Sequence, residues 1–82
     1  EIVDLSNPTS PFRKGIYNSK ESVNKIVVRK KEAYLIEGNG GTEIINISSK
    51  NHPQKTAEYK TKGYAVSLVI DGNYAYIAEN GN

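Results

Sequence analysis

The sequence repeats itself without a gap when it is shifted by 42 residues. Glu1-Ile2 falls on Glu43-Ile44, Ser6 on Ser48, Pro11 on Pro53 and Tyr17 on Tyr59. Further along, Val27 falls on Val69, Ala33-Tyr34 on Ala75-Tyr76 and Glu37 on Glu79. Conservative pairs stand between them: Val3 with Ile45, Leu5 with Ile47, Ile26 with Leu68, and Leu35 with Ile77. A repeat restricts the fold strongly, because each unit must be a small supersecondary element that buries its apolar face against its neighbours. The two units are residues 1–42 and 43–82.

One period reads as four strands. "TEIINIS" alternates apolar and polar residues, as a strand does. "SKNHP" is a polar turn with a proline stop. "QKTAEYK" is a weaker strand, polar enough to lie at a sheet edge. After the loop "TKGY", the nearly continuous apolar run "AVSLVI" has the pattern of a strand buried on both faces. "DGN" is a tight hairpin turn in which Gly72 and Asn73 can both take positive φ, as a type I′ turn requires. "YAYIAE" is the fourth strand and "NGN" a closing turn. The first period repeats this with "VNKIVV", the turn "RKKE" and "AYLIEGNGG". No stretch carries a helical period, so the chain is expected to be all-β. Four short strands in a unit of this length match the spacing of a β-propeller blade.

At this point the sequence resembles the LVIVD-repeat family of β-propeller proteins. The residues that carry the likeness are Ile2-Val3-Asp4, Ser6-Asn7-Pro8 and Gly72-Asn73-Tyr74-Ala75-Tyr76-Ile77-Ala78. The likeness extends over essentially the whole chain. It departs at Asn46 in place of Asp4, at Ser48-Ser49-Lys50 in place of Ser6-Asn7-Pro8, and at Lys30-Lys31-Glu32 in place of Gly72-Asn73-Tyr74. The resemblance implies a propeller of an exported or cell-surface protein, hence an extracellular, cell-surface or periplasmic location. It implies no catalytic activity.

With strands named A to D outwards from a propeller's central channel, the chain reads C-D, A-B-C-D, A-B. That is one complete blade of four antiparallel strands flanked by two half-blades, with residues 1–82 forming part of one β-propeller domain. Propellers typically need 4–8 blades. The expected partners are therefore further blades of the same propeller, supplied by a longer parent chain or by sister copies in a ring. A third arrangement pairs the two half-blades with each other inside one chain, as a small sandwich.

Composition narrows the function by exclusion. The 82 residues contain 11 basic and 9 acidic side chains, a net charge of +2, which gives no electrostatic case for nucleic acid. Cysteine is absent, so neither a disulfide nor a thiolate site is available. The apolar runs are far too short to span a bilayer, and no membrane insertion is expected.

The chemistry-bearing residues are sparse. "GNGG" (Gly38–Gly41) has no helix behind it and no lysine after it, so it reads as a hairpin turn rather than a phosphate loop. Asp71 stands alone in "DGN", where calcium would need several carboxylates. His52, the one histidine, sits in a turn without an acidic neighbour. Asp4, Glu37 and Glu79 lie near strand ends, where carboxylates either do acid–base work or accept hydrogen bonds from loop amides. Arg29–Glu32 reads as a solvated turn. Asn46-Ile47-Ser48 is a formal glycosylation sequon inside a strand. No catalytic, cofactor-binding or metal-ligating residue is assigned, and no cofactor is expected.

Among the tyrosines, Tyr17 repeats as Tyr59 and Tyr34 as Tyr76, which points to packing between blades. Tyr64 and Tyr74 have no counterpart in the first unit and are the candidate interaction surface. The expected function is a non-catalytic scaffold or interaction module whose loops meet a protein or glycan ligand. The alternative is a ligand-binding or enzymatic propeller. Its site would lie at the central channel, assembled from several blades, with Asn24 and Ser67 as polar residues there.

Overall fold

The computed structural model describes residues 1–80. These form eight strands: β1 (Ile2–Asp4), β2 (Phe12–Gly15), β3 (Lys25–Arg29), β4 (Glu32–Ile36), β5 (Thr42–Asn46), β6 (Gln54–Tyr59), β7 (Tyr64–Asp71) and β8 (Tyr74–Asn80). No helix occurs among the described residues. The strands form three antiparallel sheets, β1-β2, β3-β4-β5-β6 and β7-β8. The all-β expectation holds. The two short sheets do not pair with each other, so the sandwich arrangement is not adopted.

The repeat is carried into the hydrogen-bond register. Shifted by 42, the β1-β2 pairs Ile2↔Gly15, Val3↔Arg13 and Asp4↔Phe12 become Ile44↔Ala57, Ile45↔Lys55 and Asn46↔Gln54, which are pairs of β5-β6. Both ladders are broken at the same place, between Ile2 and Val3 and between Ile44 and Ile45. A bulge re-aims the strand after it, so its recurrence gives both units the same local twist. The β3-β4 pairs Lys25↔Ile36, Ile26↔Leu35, Val27↔Tyr34 and Arg29↔Glu32 likewise reappear in β7-β8 as Ser67↔Ala78, Leu68↔Ile77, Val69↔Tyr76 and Asp71↔Tyr74.

The core lies on both faces of the central sheet, as strand alternation demands. On one face Ala33, Leu35 and Ile45 are buried, with Tyr17 and Ile47 packed on them. On the other, Ile36 packs against Ala65 and Leu68 of β7, with Val27, Tyr34, Ile70 and Ile77 around them. Ile36 and Ile45 are fully buried, each stabilising the fold by about 2–3 kcal/mol.

Three sequence expectations are corrected. "AVSLVI" is not buried on both faces: Ala65 and Leu68 are buried, whereas Val66 and Val69 are exposed. The β7 strand packs on the central sheet with one face only, and its other face meets solvent. The turn after Asp71 has φ of 61° at Gly72, while Asn73 does not adopt positive φ. A single left-handed residue at the first central position is the φ pattern of type II′, not I′. Finally, Asn80 of the closing "NGN" continues β8, and the rest of that turn lies outside the described residues.

Other readings hold. The polar β6 is an edge strand exposed along its whole length. Arg29 pairs with Glu32 across a two-residue turn, where Lys30 adopts a φ of 56°. The Arg29 guanidinium donates to the Gly72 carbonyl at 2.6 Å, tying the two equivalent turns together.

Candidate functional site

The turn joining β4 to β5 carries the buried charged side chains of the described residues. Glu37 directly follows β4, and Glu43 is the second residue of β5. They are 3% and 1% exposed. The loop between them is closed by its own backbone: Glu37 N–H donates to the Gly41 carbonyl at 2.8 Å, and Gly40 N–H to the Glu37 carbonyl at 3.0 Å. Gly41 sits at a φ of 79°, and a Cβ there would collide with the Tyr59 carbonyl oxygen. The Gly38 carbonyl accepts the Ala65 N–H at 3.1 Å, fastening the loop to β7. The glycine run is thus a hairpin turn, as the sequence indicates.

Burial pushes the Glu37 carboxyl up to about 8, reinforced by the neighbouring carboxyl of Glu43. Both Glu37 oxygens and Glu43 Oε1 are buried without a hydrogen-bond partner. The other Glu43 oxygen, Oε2, lies 3.5 Å from Lys55 Nζ. Burial, and then the charge of Glu43, raises the pKa of the Tyr17 hydroxyl nearby. Outside this centre Glu58 binds both Lys55, at 2.5 Å, and Lys20, at 3.2 Å. Hydrogen bonds from these two lysines hold Glu58 below the usual carboxylate range.

Within this chain the pair is enclosed rather than open to solvent. A Cβ on Gly40 would come within 3.0 Å of Glu37 Oε1, so the loop is closed down over the carboxyl. Two clefts of about 380 Å³ and 310 Å³ flank the central sheet, and neither is lined by Glu37 or Glu43. The first lies among Tyr34, Ile44, Tyr59, Leu68, Ile77 and Glu79. The second lies among Tyr17, Val23, Ile26, Leu35, Ile45 and Ile47. No group of three or more metal-capable side chains occurs among the described residues.

The other sequence candidates have local partners. Asp4 Oδ1 accepts Ser6 N–H at 2.8 Å and Ser6 Oγ–H at 2.6 Å, which lowers its pKa. Asn46 does the same for Ser48, at 2.9 and 2.6 Å, so the Asp-to-Asn departure preserves the turn. Glu79 accepts Gly63 N–H at 2.8 Å. His52 is exposed in its loop. Tyr64 and Tyr74 are 41% and 70% exposed, but the register puts them at opposite ends of the β7-β8 hairpin. The Tyr64 hydroxyl also meets Asn24 Nδ2 at 3.2 Å. Asn24 Nδ2 in turn reaches the Ala65 carbonyl at 3.5 Å, so it braces the neighbouring sheet.

Sequence reasoning associated Glu37 with its repeat equivalent, Glu79, and passed over Glu43. The available signal was the turn itself. In a hairpin that pairs Ile36 with Thr42, residues 37 and 43 flank the closing pair.

The LVIVD-repeat family model matches residues 1–19 and 62–82. The match takes in both outer segments and leaves out the middle, where the departures at Lys30–Glu32 and Ser48–Lys50 lie. Neither the curated proteins nor the solved structures provide a match.

Proposed function

From a chain whose two outer segments are LVIVD repeats, we propose a non-catalytic scaffold and interaction module made of β-propeller blades, in a surface-exposed or exported protein. In this reading β3–β6 are strands A to D of one complete blade. The β1-β2 sheet is the C-D half of the preceding blade, and β7-β8 is the A-B half of the following one. The observation that supports it is the repeated register, bulge included, which makes each sheet a copy of the same unit. Blade packing supplies rigidity, and the loops at the ends of the stack present the surface that meets a protein or glycan. Immobilised chain should retain a macromolecular ligand from extracellular material or a glycan array, with no turnover of glycosides or esters. Turnover without retention would contradict the proposal.

A second reading draws on the Glu37–Glu43 pair. A buried carboxyl that keeps its proton near neutrality is a common mark of acid–base sites. It supports a ligand-binding or enzymatic propeller whose site is completed by neighbouring blades. In that case Glu37→Gln would abolish turnover while leaving the fold intact.

A further inference from the structure

The central sheet and the β7-β8 sheet are joined at the Glu37–Gly41 turn. The Gly38 carbonyl accepts two N–H groups, from Gly41 inside the turn and from Ala65 of β7, both at 3.1 Å. The Tyr64 ring lies against Gly38, where a Cβ would collide with it. Asn24 Nδ2 adds contacts to the Tyr64 hydroxyl at 3.2 Å and to the Ala65 carbonyl at 3.5 Å. One acceptor thus serves both the closure of the turn and the attachment of β7. A further tie, from Arg29 to the Gly72 carbonyl, lies at the far end of the same junction.

Beneath the turn the Glu37 carboxyl is buried with neither oxygen hydrogen-bonded. A carboxyl placed there is far less costly neutral than charged. The groups around it come from four elements. β5 brings Glu43, whose Oε1 is also without a partner. The segment between β2 and β3 brings Tyr17, Lys20 and Glu21. β6 brings Lys55 and Glu58, and β7 brings Tyr64 against Gly38. Both lysines are bound to Glu58. Gly40 closes the remaining side: a Cβ on it would lie 3.0 Å from Glu37 Oε1 and 2.6 Å from the Glu21 side chain. Residues of this chain alone enclose the site, so its burial does not depend on what precedes Glu1 or follows Asn82.

We infer that the Glu37–Gly41 turn is a proton-controlled clasp on the junction between these two sheets. With Glu37 protonated, the turn stays shut and holds Ala65. When that proton leaves, Glu37 and Glu43 are two neighbouring buried carboxylates that repel each other. The turn then lifts towards water and Gly38 releases Ala65. The Arg29–Gly72 tie at the far end is the pivot, and the β7-β8 sheet hinges on the central sheet about it. Acidity therefore sets how firmly one sheet is stacked on the next. This goes beyond the scaffold reading and does not rest on it, since both sheets and the clasp belong to the described chain.

The closed turn holds the proton up to about pH 8, while a glutamate released to water loses it near 4.5. Opening therefore grows by about tenfold per pH unit between those values and levels off above the higher one. Hydrogen exchange of single amides, corrected for the intrinsic pH dependence of exchange, reads this opening. Protection of the Ala65 N–H should fall by about tenfold per pH unit from about pH 5 to about pH 8. The Ile47 N–H, which donates to the Lys31 carbonyl at 2.8 Å at the other end of the central sheet, should stay at least about tenfold better protected at every pH. Glu37→Gln keeps the shape and cannot ionise, so it should make Ala65 protection independent of pH. Glu43→Gln removes the neighbouring charge and should bring the levelling point below pH 8. Ala65 protection that does not change with pH, that keeps its slope in Glu37→Gln, or that equals the protection of Ile47 throughout overturns the inference.

Discussion

Glu37 keeps its proton at neutral pH because a buried carboxyl facing Glu43 cannot ionise cheaply. The consequence for stability has a definite sign. The folded chain holds this proton up to about pH 8, while an ordinary glutamate releases it near 4.5. Between those values the folded state binds more protons than the unfolded state, so stability falls as pH rises and levels off above the folded value. The slope is at most about 1.4 kcal/mol per pH unit for one group. Denaturant unfolding between pH 4.5 and 8 should show the decline, and Glu37→Gln should flatten it. A second residue-level expectation concerns Asp4. Asn46 makes the same two hydrogen bonds as Asp4, so Asp4→Asn should leave the melting temperature unchanged. Asp4→Ala, which removes the acceptor, should lower it.

At the scale of the element, equivalent turns and strands do unequal work. Gly72 and Lys30 both occupy left-handed conformations at the start of a two-residue loop. Glycine adopts that conformation without strain, and lysine does not. Lys30→Gly should therefore raise stability by about 0.5–1 kcal/mol, and Gly72→Ala should lower it by about 1 kcal/mol. Leu68 and Ile26 are a sharper pair. Leu68→Ala opens a cavity in the core and should cost about 2–5 kcal/mol. Ile26→Ala removes a largely exposed side chain and should cost less than about 1 kcal/mol in dilute monomer. Chemical denaturation of the two variants checks both.

The strands themselves were legible in the sequence, because alternation, turn residues and the 42-residue shift all mark them. The limits of burial were not. "AVSLVI" has the composition of a doubly covered strand, yet exposure of Val69 depends on which neighbours the chain brings, and no local pattern encodes that. Glu43 escaped for a related reason. Its importance arises from the β4-β5 register, which sets it beside Glu37, and a linear motif gives no sign of that pairing.

At the scale of the whole molecule, the chain is a stack of three copies of one sheet pattern, the outer two present by halves. The interior junction is covered on both sides. The outer surfaces repeat its residues and register without the cover. A propeller gives these surfaces a closed solution, since successive four-stranded sheets arranged around an axis leave few free edges. Closure bears on function, because only a closed ring presents its loops as two fixed faces.

An experimental structure of the chain together with the blades that flank it tests the account most directly. The account predicts four-stranded sheets in which β4 pairs with β5 through Ala33↔Ile45 and Leu35↔Glu43, stacked around a common axis. Sheets stacked in an open row, or a strand order other than β3-β4-β5-β6 in the central sheet, would contradict it.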